Sequence, residues 1–340
     1  MALTASGTIK YSEIIAEFGT PNSGGLGEYR LSENVGSLTN LPLDTGVPQS
    51  GQIKFSDFYN KKLNHVVDLY SIGNSTTRQN AKDRWSNGNV HIVGSTKTGK
   101  TQPPDTVEDR VIINVNATIA SAKGTQTHCA LRTGNWDSNT TLEIEIGTSG
   151  KLYGSGGDGG TGGNANETAG TDGGTGSSAL GIQYPCTVNN LGVIQSGYGG
   201  GGGGGGNTRT TGGGKKGGAT TNGSSGGGGG GGAGLPAGSA GGVSTPLSAG
   251  GGSAGSAGGA GSLSGQATGG AGGSEAAAGG DSSLVNNSAT KADDGGTASG
   301  AALPGTGGNN GYAIITNQGS APSVTGNSAT GRIITSTNPT

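Results

Sequence analysis

Hydrophobic residues are spaced along this chain in three different ways, and each way predicts a different kind of structure. In the first sixty residues they sit inside a repeat. Ser6-Gly7-Thr8-Ile9-Lys10-Tyr11-Ser12-Glu13 recurs 44 positions later as Ser50-Gly51-Gln52-Ile53-Lys54-Phe55-Ser56-Asp57. In each copy the Ile and the aromatic residue share one face at period two, and a Ser follows where it can cap a helix. The acid after that Ser falls in the first helical turn, where the helix dipole favours it. The first copy continues as Ile14-Ile15-Ala16-Glu17-Phe18 until Gly19 and Pro21 stop it, and a related fragment, Leu31-Ser32-Glu33-Asn34, lies between the copies. A unit of this size buries too little to stand alone, so it is expected to pack on a partner chain or on the next domain.

From residue 61 to 153 the pattern changes to strands. Val66 to Tyr70, Val90 to Val93, Val107 to Ile119 and Thr141 to Ile146 are rich in β-branched residues, with turn formers such as Asn87-Gly88 and Gly134-Asn135 between them. A second repeat crosses into the region that follows. Ala130-Leu131 leads through Ile144 and Ile146 to Leu152-Tyr153-Gly154, and Ala179-Leu180 leads through Val188 to Val193-Ile194 and Gly197. Tyr312-Ala313-Ile314-Ile315 and Gly331-Arg332-Ile333-Ile334 form a fainter third copy. These segments are read as strands that flank the glycine-rich body and tie it to the middle module.

After residue 154 apolar side chains become sparse and glycine takes over, supplying 59 of the 160 residues from 151 to 310. A disordered tether is one reading of such composition. Against it stands a period of three: Gly154, Gly157, Gly160 and Gly163 are in register, Gly156, Gly159 and Gly162 form a second row, and Gly252, Gly255, Gly258 and Gly261 another. Period three belongs to the polyproline II type of helix. Collagen is excluded because the register slips and proline totals only 11. The ordered alternative is a bundle of polyglycine II helices, whose backbones approach closely and exchange hydrogen bonds. Ordering glycine costs about 1–2 kcal/mol of backbone entropy per residue, so only a near-complete lattice could hold it.

The predicted fold is therefore mainly β and irregular: a small α+β N-terminal repeat region (1–60), a β-rich middle module (61–153), a glycine-rich polyglycine II bundle (154–311) and C-terminal capping strands (312–340). A hydrophobic share of 29% with 4% aromatics excludes one large core. A net charge of -2, with Lys and Arg scattered, argues against nucleic acid as a partner. No run of eighteen apolar residues and no secretory signal are readable. Cys129 and Cys186 are expected to be free thiols.

Candidate chemistry is thin. Gly94-Ser95-Thr96-Lys97-Thr98-Gly99-Lys100-Thr101 matches a phosphate-binding loop, but Gln102-Pro103-Pro104 follows where a helix should open, so a β-hairpin loop is expected. His65, His91 and His128 lack metal-site spacing, and the acid pairs Glu143/Glu145 and Asp293/Asp294 have no evident cleft. No cofactor, no metal and no enzymatic activity are expected. Trp85 and Trp136 are read as packing anchors, and Tyr198 as either a bundle cap or a receptor contact.

The tracts from Leu152 to Gly160, Gly199 to Gly206 and the runs after Ser225 resemble glycine-rich modules of bacteriophage tail-fibre and baseplate proteins, including the polyglycine II tip adhesins of T4-like phages. The Ser-Gly-x-Ile-Lys-aromatic-Ser-acid repeat resembles the opening of many phage virion proteins. The resemblance implies a virion tail protein, assembled in the host cytoplasm, that attaches by its N-terminal region to other tail or baseplate proteins and displays loops to a host receptor, either polysaccharide or outer-membrane protein. A homo-oligomer is compatible with this. A purely structural tail component, or a tail-associated polysaccharide depolymerase, is the alternative. The segments that interrupt the glycine rows are the expected receptor-facing loops: Asn207, Thr208, Arg209, Lys215, Lys216, Leu235, Pro236, Leu247, Leu284 and Asn286.

Overall fold

The computed structural model describes residues 3–102, 110–163, 169–205, 207–211, 220–224, 228–242, 303 and 305–340. Its N-terminal region holds helix α1 (Tyr11–Phe18), a 3-10 turn at Leu26–Tyr29, the hairpin β1 (Ser32–Val35) and β2 (Leu38–Pro42), and a second 3-10 turn at Phe55–Phe58. The expectation that Ser12 and Ser56 cap these helical starts is corrected. Lys10 and Lys54 occupy the cap positions, and the acids reach back instead: the Lys10 N–H donates to Glu13 (2.8 Å) and the Lys54 N–H to Asp57 (2.7 Å). A carboxylate at the third helical position thereby satisfies the N–H of the cap residue itself, one half of a capping box. Phe18, Tyr29 and Phe58 meet edge to face at 5.6–6.1 Å, and their cluster continues onto Val66, Val93 and Ile112.

The strands that follow wind into a parallel β-solenoid. The first turn is β3 (Asn64–Leu69), an isolated bridge at Ser75, and β4 (Gln79–Asn80). It is followed by helix α2 (Ala81–Ser86), β5 (Val90–Ile92), which runs antiparallel to β3, and the one-turn helix α3 (Ser95–Thr98). The second turn is β6 (Arg110–Val115), β7 (Thr118–Ala120) and β8 (Cys129–Arg132). The third is β9 (Thr141–Ile146), β10 (Lys151–Tyr153) and β11 (Ser178–Ile182). The fourth starts with β12 (Thr187–Asn190) and β13 (Val193–Gln195), makes an excursion that includes the hairpin β14 (Asn207–Thr211) and β15 (Thr220–Ser224), and closes with β16 (Tyr312–Thr316). The fifth is β17 (Ser323–Gly326), a bridge at Thr330, and β18 (Arg332–Ile334). Corresponding strands stack in three sheets, in the orders β17-β12-β9-β6-β3-β5, β13-β10-β7 and β18-β16-β11-β8-β4.

Alternation within each strand explains the core. On the first face Val67, Ile113, Ile144, Val188 and Val324 stand in register, on the second Ile119, Leu152 and Ile194, and on the third Leu131, Leu180, Ile314 and Ile333. All but Val324 and Ile333, on the last turn, are buried. The internal repeat thus corresponds to successive solenoid turns. The sheets run straight across the compositional boundaries at 153/154 and 311/312.

Two further expectations change. The segment Val107 to Ile119 holds two strands, β6 and β7, with a corner between them; residues 107–109 lie outside the described set. Residues 94–101 form no hairpin loop: α3 sits between Gly94 and Gly99, both with positive φ (75° and 64°). Left-handed glycines at each end start and stop a helix too short to face a phosphate. Trp85 and Trp136 do act as packing anchors, edge to face at 5.5 Å within the core.

Candidate receptor-facing surface

Glycine tracts leave the solenoid between its second and third faces. Residues 154–163 run outward from β10 and 169–177 return to β11; 197–205 run outward from β13 and 305–311 return to β16. Residues 228–234 and 236–242 form a further return-and-outward pair. The hydrogen bonds between tracts recur every third residue. Gly157, Gly160 and Gly163 donate to Tyr198, Gly201 and Gly204, so those tracts are parallel and continue the β10–β13 pairing. Gly156, Gly159 and Gly162 donate to Pro236, Ser239 and Gly242. Gly170, Gly173 and Gly176 donate to Leu303, Thr306 and Asn309. Gly197, Gly200 and Gly203 donate to Ser177, Gly174 and Thr171 in the antiparallel sense, and Gly305, Gly308 and Gly311 donate back to Gly203, Gly200 and Gly197.

These pairings place the tracts in two staggered rows. One row is 236–242, 154–163 and 169–177; the other is 228–234, 197–205 and 305–311. Close approach explains the composition. A Cβ added at Gly157, Gly200 or Gly203 would lie 1.9–2.1 Å from a neighbouring carbonyl oxygen. In the tracts 154–163, 197–205 and 228–234 such blocked glycines fall at two positions in three. In the outer tracts 236–242 and 305–311 they fall at one in three, and Ser, Ala, Thr and Asn take most of the other positions.

Some tract N–H groups are taken instead by a side-chain oxygen of the adjacent tract. Thr171 Oγ1 accepts from Thr161 (2.7 Å), Ser177 Oγ from Ser155 (2.7 Å), and Asn310 Oδ1 from Gly199 (3.0 Å). Asp158 accepts from the Ser239 N–H and from the Lys123 ammonium, both at 2.6 Å. Burial pushes the Asp158 carboxyl up, but those two donors outweigh it and hold the group below its ordinary range. Asp172 is held down by the backbone N–H of Thr306, with its hydroxyl adding to the effect.

This geometry sorts the expected loop residues by end. The proximal end, against the solenoid, holds Gly154, Ser177, Gly197 and Gly311; the distal end holds Gly163, Gly170, Gly242 and Gly305. Asn207, Thr208 and Arg209 lie in β14, just beyond the distal end, paired with Ser224, Gly223 and Asn222 of β15. Leu235 and Pro236 form the turn at the other end, where the Leu235 N–H bonds Gly154. Sequence reading grouped the two as one surface; the structure separates them by the length of a tract. The sequence gives no sign of direction, so a turn at either end of a tract looks alike. Lys215, Lys216, Leu247, Leu284 and Asn286 lie outside the described residues. Leu303, which interrupts the glycine rows but is not among the expected receptor-facing residues, is a distal apolar residue with 71% of its surface exposed. Tyr198 is buried, its hydroxyl enclosed near the proximal end, and is no surface contact.

Among the described residues no cluster of His, Cys, Asp or Glu could hold a metal. The acidic pair Glu143 and Glu145 lies on the outer face of β9, where Glu143 binds Arg110 and Glu145 binds Asn189 (both 2.8 Å).

A family of bacteriophage tail-fibre adhesins matches the chain over residues 80–335, three quarters of its length. That family is the phage tail fibre adhesin Gp38, and the chain belongs to it; the protein is a component of the virion tail. The chain is also similar to one in the crystal structure of the gp37-gp38 adhesin tip complex of the bacteriophage S16 long tail fiber, with 20% identity and a TM-score of 0.34, over 98% of this chain and 99% of that one. No curated protein matches it.

Proposed function

We propose that the glycine tracts are polyglycine II helices, and that their bundle is a rigid arm presenting its distal loops to a receptor on the host surface. The observation that carries this is the hydrogen-bond period of three, kept in parallel and antiparallel neighbours alike, with glycine wherever a Cβ would strike a carbonyl. Of the turns between described tracts, only the one at Leu235-Pro236 is proximal. The rest of the connecting chain leaves from the distal end, which makes that end the adaptable surface of a fixed scaffold. Asn207, Thr208, Arg209, Lys215, Lys216, Leu247, Leu284 and Asn286 belong to it in this reading, with Leu303; Leu235 and Pro236 do not.

The N-terminal region would dock on another tail protein. Both repeat copies are at its surface: Phe55 of the second is 42% exposed, and Tyr11, Ile53 and Tyr59 are half-buried against the N-terminal cluster. The protein acts by binding, without catalysis, and several copies per particle would raise avidity.

The test separates the two ends. Replacing residues 212–219 with a Gly-Ser linker of equal length, or Leu303 with Asp, is expected to leave the adhesin in purified particles while adsorption to host cells falls at least tenfold. Phe55→Asp is expected to remove the adhesin from particles. Normal adsorption by particles carrying both distal replacements would leave a purely structural role.

A further inference from the structure

The end of the solenoid core nearest the N-terminus is closed by an imidazole with nothing to bond. His65, on β3, pairs in register with Ile92 of β5 and Val111 of β6, and shares the inward parity of Val67 and Leu69. Its ring is enclosed, with 2% of the residue exposed, and meets Trp85 of α2 edge to face at 5.3 Å. Neither Nδ1 nor Nε2 has a hydrogen-bond partner; the backbone of Leu63 and Arg110 comes near without reaching bonding geometry.

Among the described residues, the surroundings offer no anion to a charged ring. On β6, Arg110 is bonded to Glu143 and lies 3.8 Å from Asp44, so both carboxylates are engaged. On β5, the His91 ring is held by Glu33 of β1 at 2.7 Å. On α2, Lys82 lies over the Trp136 ring, Arg84 donates to the Asp68 carbonyl, and Asp83 is exposed. Lys100, which adds to the cost of charging His65, donates to the Ala16 carbonyl. The same strands hold the N-terminal region. The Asn64 N–H donates to Leu43, its side chain to Pro42, and the Leu63 N–H to Glu17, while Val93 donates to Asn64.

We propose that His65 is an acid-sensitive latch: taking up a proton in this enclosed, unpartnered position unseats the cap formed by α2 and β5 and loosens the N-terminal region from the first solenoid turn. Burial keeps the ring neutral, and its pKa is pushed down from the usual 6.5 to about 4. The sign follows. The opened state binds a proton that the closed state refuses between those values, so closure is fully favoured above pH 6.5 and is progressively lost as pH falls toward 4. An adhesin built this way keeps its attachment region firmly seated at neutral pH and frees it in acid.

The test uses the full-length protein. Amide exchange of Val93, Asn87 and their neighbours, corrected for intrinsic rates, is followed from pH 7.5 to 4.5 in the parent chain, His65→Leu, His65→Gln and Glu33→Gln. The parent is expected to open more readily by up to about tenfold per pH unit below 6.5, the limit for one linked proton. Both His65 variants are expected to lose that slope, and Glu33→Gln to keep it. An equal slope in the His65 variants, or its loss in Glu33→Gln alone, would overturn the proposal. Should the His65 variants not fold, the ring's own titration in the parent decides: protonation near pH 6.5 without opening would also overturn it.

Discussion

Gly200→Ala puts the glycine lattice to a direct test. Gly200 sits mid-tract, and a Cβ there would lie 2.1 Å from the Asp158 carbonyl oxygen and 2.5 Å from its carbon. Carbon and carbonyl oxygen settle at about 3.3 Å or more, so one tract has to retreat by about 1.2 Å. Bonds that converge on this point include Gly200 to Gly174 (2.9 Å), Gly308 to Gly200 (2.7 Å), Gly201 to Gly230 (2.7 Å) and Gly174 to Asp158 (2.6 Å). A shift of that size stretches them out of bonding range. At about 1 kcal/mol each, the loss is about 4 kcal/mol, a large part of the stability of an ordinary domain. Gly242→Ala is the matched control, because its Cβ would meet only the Thr161 methyl at 3.8 Å. There the reduced entropy of the unfolded chain is expected to leave stability unchanged or raised by about 0.4–1 kcal/mol. Urea unfolding monitored by amide exchange of residues 154–163 and 197–205 reads both. If the two variants unfold within about 0.5 kcal/mol of each other, or these amides are unprotected in the parent chain, the lattice reasoning is wrong.

Three further outcomes are expected. Ile144→Ala, at the centre of the first-face ladder and fully buried, should lower stability by about 3–4 kcal/mol, seen as a lower urea midpoint at unchanged slope. Cys129 and Cys186 are unpaired, and burial pushes each thiol up to about 12, so alkylation at pH 8 should be slow in the native protein and fast in denaturant. Because Asp158 and Asp172 are held below their ordinary range, their contribution is present above about pH 4 and is lost as pH falls through the folded values. Exchange of the Ser239 and Thr306 amides should accelerate there, and Asp158→Asn with Asp172→Asn should abolish that dependence.

Much of this organisation was legible in the chain. The strands appeared because apolar residues alternate in β9 and β-branched residues crowd β6, and the 49-residue echo of Ala130-Leu131 in Ala179-Leu180 marked successive solenoid turns. What sequence could not show is that the second repeat continues through the glycine region in three dimensions: β13 and β16 are one solenoid turn, although more than a hundred residues separate them. Local pattern carries no record of such closure. Ser12 and Ser56 misled because a neighbouring acid performed the capping, and both residue types suit a helix start equally well. For the surface, the interruptions in the glycine rows were visible, but the end of the bundle on which each falls depends on chain direction, which hydrogen-bond pairing alone reveals. His65 left no sequence signal at all, since a lone His in a strand looks the same whether or not it is enclosed.

The continuity between sheet and glycine tract has a consequence for change over generations. Because 154–163 and 197–205 carry on the pairing of β10 and β13, the arm inherits its alignment from the solenoid and needs nothing at its far end to hold it true. The described tracts therefore reach Gly163, Gly205 and Gly242 already aligned, whatever chain follows them. Under the proposed function, a change of receptor would need edits to the tip alone, with the machinery that positions the tip inherited intact.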